Sequence, residues 1–192
     1  MKDTLQAWDE ALLLLLNGTP EWLSGAGWWL SQPWCSTPVY LFVIWRLFKG
    51  VPWRTGALRM AMVLVTFAGT DAISSRVLKP GFERLRPSHN PSLSTTLVLH
   101  QNQDGTVYRG GRFGFVSSHA SNTFGLAAIA FLILGKSATR WLWVWAGVVS
   151  WTRLYLGVHY PGDIVFGSLF GIGFAAATHV LFSRFITPKP TP

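Results

Sequence analysis

The chain has a single cysteine, Cys35, in 192 residues, which excludes an internal disulfide framework and a multi-cysteine zinc site. Charge is scarce too: Asp, Glu, Lys and Arg make up 12% of the chain, about half of the ~25% usual in soluble globular proteins. So few charges would leave the surface of an ordinary soluble enzyme uncovered. Acidic residues are the rarer sign, 8 against 16 Lys and Arg, and they form no cluster of the kind that holds magnesium. No internal repeat is visible, which argues against a carrier built from repeated halves. Disorder is equally excluded, because it requires low hydrophobicity and here hydrophobic residues reach 49%.

What the chain has in abundance is apolar and aromatic surface, with 11 Trp and a mean hydropathy of +0.31. At about 150 residues per domain, one domain over 1–192 is expected. The class indicated is all-α, a polytopic membrane helix bundle. A crossing of the ~30 Å hydrocarbon layer takes about 20 helical residues, fewer with snorkelling flanks. Segments 120–135, 141–158 and 164–183 fit, and 59–76 is a fourth candidate, interrupted by Asp71. A fifth runs over about 37–48, with Pro38 in its first turn and Trp28, Trp29 and Trp34 before it as an interfacial belt. Segment 4–17 carries Asp9 and Glu10 and lacks the basic start and cleavage site of a signal peptide. It reads as an interfacial helix within an N-terminal segment of about 1–34, or as a sixth crossing.

Lys and Arg in short loops set the orientation. With five crossings, Arg46, Lys49, Arg54, Arg59, Lys136, Arg140, Arg184 and Lys189 share one side, the cytoplasmic one. The loop of about 79–117 and the turn 158–163 then lie on the outer face. In or near those outer segments sit Lys79, Arg84, Arg86, Arg109, Arg112 and Arg153, against the positive-inside trend. A cationic surplus there calls for an anion. The net charge of +8 has another reading, a nucleic-acid surface. The basic residues are interleaved with apolar runs rather than gathered on a polar module, so no nucleic-acid partner is expected.

Three outer-face clusters carry candidate chemistry. Lys79 to Pro87 ends one crossing, Val116-Ser117-Ser118-His119 opens another, and Arg153, His159 and Asp163 straddle the last turn. Two guanidinium forks and an ammonium suit a tetrahedral phosphate. Pro161 in a helix's first turn suggests free N–H groups that add to the anion site. Simpler roles compete. Arg84, Arg109 and Arg112 are equally well read as snorkelling anchors. His89, His100 and His179 read as structural, and Asp71 as pairing with a basic residue. Gly110, Gly111 and Gly114 read as a flexible loop rather than an anion nest, and Gly167 with Gly171 as a close helix contact. Arg153 is different, since a charge inside a membrane segment defaults to function.

The pattern Lys-x6-Arg-Pro, Ser-x-His and Arg-x5-His-x3-Asp over Lys79–Asp163 resembles the signature of the type 2 phosphatidic acid phosphatase family. That family belongs to a superfamily with vanadium haloperoxidases and bacterial acid phosphatases. This sequence departs from it where Val116 and Ser118 replace the usual Pro and Gly, and where Thr152 replaces Ser. The resemblance implies His159 as a nucleophile that forms a phosphohistidine. Asp163 then orients it, and His119 protonates the leaving oxygen. Lys79, Arg86, Ser117, Ser118 and Arg153 bind the phosphate. No cofactor and no metal are implied.

The expected partners are the bilayer and a lipid phosphate, in the cell (inner) membrane with the site facing the periplasm or outside. Small size makes the chain look like bacterial members acting on undecaprenyl diphosphate. Phosphatidylglycerol phosphate, phosphatidic acid, lipid A phosphate, phosphoryl transfer to another lipid and non-enzymatic anion carriage are the alternatives.

Overall fold

The structure is a computed structural model and describes residues 2–18 and 24–186. Its helices are α1 (Lys2–Leu16), α2 (Ser24–Ser31), α3 (Thr37–Phe48), α4 (Trp53–Ile73), α5 (Lys79–Phe82), α6 (Ser118–Leu134), α7 (Lys136–Tyr155) and α8 (Pro161–Ile186). No strand occurs among the described residues; two isolated bridges, Leu85 with Phe113 and Gln101 with Val107, fold the long loop on itself.

Local chemistry sets the breaks. Helix α6 starts where Ser117 accepts a bond from the Ala120 N–H at 3.5 Å, and Gly135, at φ 83°, turns the chain into α7. Helix α8 begins with Pro161 at its first position, and Asp163 reaches back to the Tyr160 N–H at 3.0 Å. That carboxylate satisfies the N–H just before the helix, one half of a capping box. Between α4 and α5 runs a π-helical stretch, Ser74–Leu78, so that Trp53–Phe82 is one continuous rod whose register shifts just before Lys79.

The centre of the bundle is the α6–α8 contact. A side-chain carbon on Gly167 would come within 2.7 Å of the Ser117 carbonyl oxygen, and one on Gly171 would collide with the Ser121 carbonyl. The small-residue spacing read from the sequence is therefore a close helix contact. Away from the site, Val43, Leu47, Met62, Leu126, Ile129 and Leu142 pack an apolar core. Leu64, Val144, Val165, Leu169 and Val180 face outward, exposed, as surfaces in lipid do.

Among the described residues, two helices are long and apolar enough to cross a membrane, Trp53–Phe82 and Pro161–Ser183, with Ser118–Leu134 a shorter apolar helix. The other expected crossings fail that test for identifiable reasons. Helix α3 has 12 residues, about 18 Å of rise, and α7, at 20 residues, carries Lys136, Arg140 and Arg153. The 4–17 helix expected from sequence is α1, with Leu5, Trp8, Leu12 and Leu15 exposed. Lys189, placed on the cytoplasmic side by the sequence, lies outside the described residues.

Candidate active site

The C-terminal end of the Trp53–Phe82 rod, the start of α6 and the α7–α8 turn meet at one end of the bundle. His159 and Asp163 are both buried there, with His159 Nδ1 3.3 Å from Asp163 Oδ2. One carboxylate therefore caps α8 and holds the imidazole at Nδ1. Burial, with the charges of Arg86, Arg153 and Lys79 adding to it, holds the His159 pKa well below the ordinary histidine range. A hydrogen bond to the Gly114 backbone works the other way. The ring is therefore neutral at neutral pH.

The cations surround that ring. Arg153 is 2% exposed; its Nη2 donates to the Tyr108 hydroxyl at 3.1 Å, and its Nε has no partner among the described residues. Arg86 donates through Nε to the Phe113 carbonyl at 3.2 Å. Gly110, at φ 66°, lets the returning loop lie on this guanidinium, since any side-chain carbon there would strike Arg86 Nη1. Lys79 Nζ donates to Ser118 Oγ at 2.6 Å, and Ser74 and Ser75 meet the same hydroxyl at 2.9 and 3.2 Å. His119 is exposed and lies within electrostatic reach of Arg153, His159, Arg86 and Lys79.

The residues singled out from the sequence thus gather at one place. Buried Ser117 is the α6 cap, and its N–H donates to the Asp163 carbonyl at 3.0 Å. Ser118, standing where the family pattern has Gly, has its hydroxyl directed at Lys79.

Two expectations change. The α8 N-terminus is not an open anion site, because its Gly162 N–H donates to Asp9 Oδ1 at 2.7 Å. Asp71 has no basic partner in hydrogen-bonding range among the described residues and takes a bond from Asn122 Nδ2 at 3.1 Å instead. Arg84, read equally as an anchor, bridges Asp163 Oδ1 at 2.8 Å and Asp9 Oδ2 at 2.6 Å, and donates to Gln6 Oε1 at 2.8 Å. Burial alone would lower the Arg84 pKa, but Asp163 and Asp9 outweigh it and raise it. Sequence reasoning missed Tyr108, Asp9 and Gln6, which no motif or spacing marks.

A helical membrane protein with a buried His–Asp pair within electrostatic reach of Lys79, Arg86 and Arg153 is the class that fold and site define. The chain belongs to the PAP2 superfamily, whose sequence profile matches residues 39–186. It is 34% identical to the lipid A 4′-phosphatase of Bacteroides thetaiotaomicron, over 96% of this chain and 83% of that one. It is 32% identical to the lipid A 4′-phosphatase of Porphyromonas gingivalis, over 84% and 67% respectively. Its fold is similar to the crystal structure of a transmembrane PAP2-type phosphatidylglycerolphosphate phosphatase from Bacillus subtilis. The TM-score is 0.68 at 22% identity, covering 98% of this chain and 90% of the other.

Proposed function

We propose that the chain is a metal-independent lipid phosphatase that hydrolyses a phosphomonoester through a phosphohistidine at His159, with a lipid A-type 4′-phosphate as the preferred substrate. One observation carries this reading. Lys79, Arg86 and Arg153 converge on a neutral, Asp163-held histidine, and none has a carboxylate partner in ion-pairing range among the described residues. Buried cations left uncompensated are costly, and an arriving phosphate dianion removes that cost.

In the first step His159 Nε2 attacks phosphorus while the bond to the leaving oxygen breaks, and His119 gives that oxygen its proton. In the second, water attacks the phosphohistidine, returns a proton to His119 and releases phosphate from the imidazole. Lys79, Arg86 and Arg153 stabilise the charge on the equatorial oxygens in both steps, with the Ser117 hydroxyl as a further donor. The cations do the charge work a divalent metal does elsewhere.

The substrate preference rests on two relatives that bear the lipid A 4′-phosphatase name. Undecaprenyl diphosphate, the substrate that chain size suggests, stands as an alternative beside it. A phosphatidylglycerol phosphate substrate is the second reading, favoured by 27% identity to the phosphatidylglycerophosphatase B of Bacillus subtilis over 58% of this chain.

The topology proposed with it has five crossings in the cell membrane and the site on the outer side. Its support is that Arg46, Lys49, Arg54, Arg59, Lys136 and Arg140 flank the α3–α4 and α6–α7 connections, at the bundle end opposite the site.

The test is phosphate release by purified protein from lipid A, phosphatidylglycerol phosphate and undecaprenyl diphosphate, with and without chelator. Wild type is expected to favour lipid A in both conditions, and His159→Ala to lose on the order of a thousandfold or more in kcat. Comparable activity in the variant overturns the mechanism, and dependence on added metal overturns its metal independence.

A further inference from the structure

Beside His119 and Ser118, which help to line it, lies a recess to which Lys79, Arg86 and Arg153 contribute no side chain. It is a cavity of about 190 Å³, below the ~300–1,000 Å³ of sites that enclose a whole drug-sized ligand, so it takes part of a molecule. The α2–α3 joint contributes Ser31, Gln32 and Ser36 to its wall, the α4 rod contributes Asp71, and α6 contributes Asn122 and His119. Asp71 is exposed in a helix long and apolar enough to cross a membrane. It forms no ion pair among the described residues. A carboxylate at such a place is costly unless it serves binding.

Its immediate surroundings are ordered for that. The Thr70 hydroxyl donates to Asn122 Oδ1 at 2.8 Å, which turns the Asn122 amide so that Nδ2 donates to Asp71 Oδ1 at 3.1 Å. Asp71 keeps a second oxygen that can accept, and the wall supplies serine hydroxyls. Such a wall recognises hydroxyl groups, since the carboxylate can only accept, and Ser31, whose proton goes to the Trp28 carbonyl at 2.7 Å, is left with lone pairs that accept too. It repels a second anion, because like charges in a medium of low dielectric constant interact strongly.

We propose that this cavity receives the leaving group and that Asp71 selects a neutral, hydroxyl-bearing one, a sugar or polyol ring, over the anionic lipid phosphate released from a diphosphate. The inference rests on the reading of His119 as the donor to the leaving oxygen, which requires the leaving group to lie beside it. Asp71 is then a specificity residue. It touches the departing alcohol and has no part in holding the phosphate.

The experiment compares wild type with Asp71→Asn on a 4-phosphorylated glucosamine lipid and on a polyisoprenyl diphosphate in the same mixed micelles. Inhibition by orthovanadate reports on the phosphate pocket alone. Asp71→Asn is expected to lower kcat/KM for the glycolipid about tenfold, the scale of one charge-assisted hydrogen bond. It is also expected to raise kcat/KM for the diphosphate, with the vanadate inhibition constant held within about threefold. Equal losses on both substrates, a large change in vanadate inhibition, or no change at all overturns the proposal. Inactivity of wild type towards both substrates overturns the phosphatase reading itself, a result separate from any failure of the Asp71 assignment.

Discussion

Arg84 and Arg86 are two residues apart, yet they belong to opposite halves of the site. In the first half every charge is answered: Arg84 is paired with Asp9 and Asp163, and Asp163 in turn holds His159 and the Tyr160 N–H. In the second half the partners of Lys79, Arg86 and Arg153 are neutral, a serine hydroxyl, a backbone carbonyl and a tyrosine hydroxyl. The balanced half fixes the imidazole through carboxylates that are themselves paired. On the function proposed above, the unbalanced half is the receptor, its electrostatics completed by the phosphate. The contrast separates positioning from binding between side chains that look alike in the sequence.

Breaking the receptor half gives the largest effect. Arg153→Lys keeps the charge but loses the fork, and kcat/KM for phosphate release is expected to fall about a hundredfold or more; a fall of less than threefold would put Arg153 outside the receptor. Breaking the balanced half costs less and differs in kind. Arg84→Gln leaves the three receptor cations in place while freeing Asp163 and Asp9, so kcat is expected to drop about ten- to a hundredfold with KM little changed. A change confined to KM would show that Arg84 belongs with the receptor.

The smallest effect sharpens the link between the halves. With the His159 pKa held down by burial and by neighbouring cations, histidine NMR of the ligand-free protein is expected to show protonation only below pH ~6.5. Removing one cation by Arg86→Gln lessens the repulsion of the imidazolium, so the midpoint moves up. A downward move, or a wild-type midpoint above the ordinary value, would contradict this account.

Much of the layout was legible in the sequence because the relevant signals are local. The apolar runs marked α6 and α8, Ser117 and Pro161 marked helix starts, and the three short motifs named the side chains that gather around His159. The surplus of positive charge in the 79–117 loop and around the 158–163 turn pointed to an anion. What the sequence did not disclose depends on long-range docking. Asp9 reads as a polar residue on an interfacial helix, and only the fold brings it to Gly162 and Arg84. Tyr108 sits in a long loop of mixed composition, and only the loop's return alongside Leu85 places it over Arg153. The π-helical stretch before Lys79 leaves no compositional trace either, and neither does the hydroxyl cluster that directs Ser118 toward that lysine.

The Asp9–Gly162 bond joins residues 153 positions apart. During synthesis the N-terminal helix emerges long before the segment it must clasp, so its carboxylate waits while the intervening rods insert. The surroundings of Asp163 are complete only once α8 has formed and α1 has settled against it. A chain that stops before α8 therefore lacks the carboxylate that holds the His159 ring and takes the Tyr160 N–H.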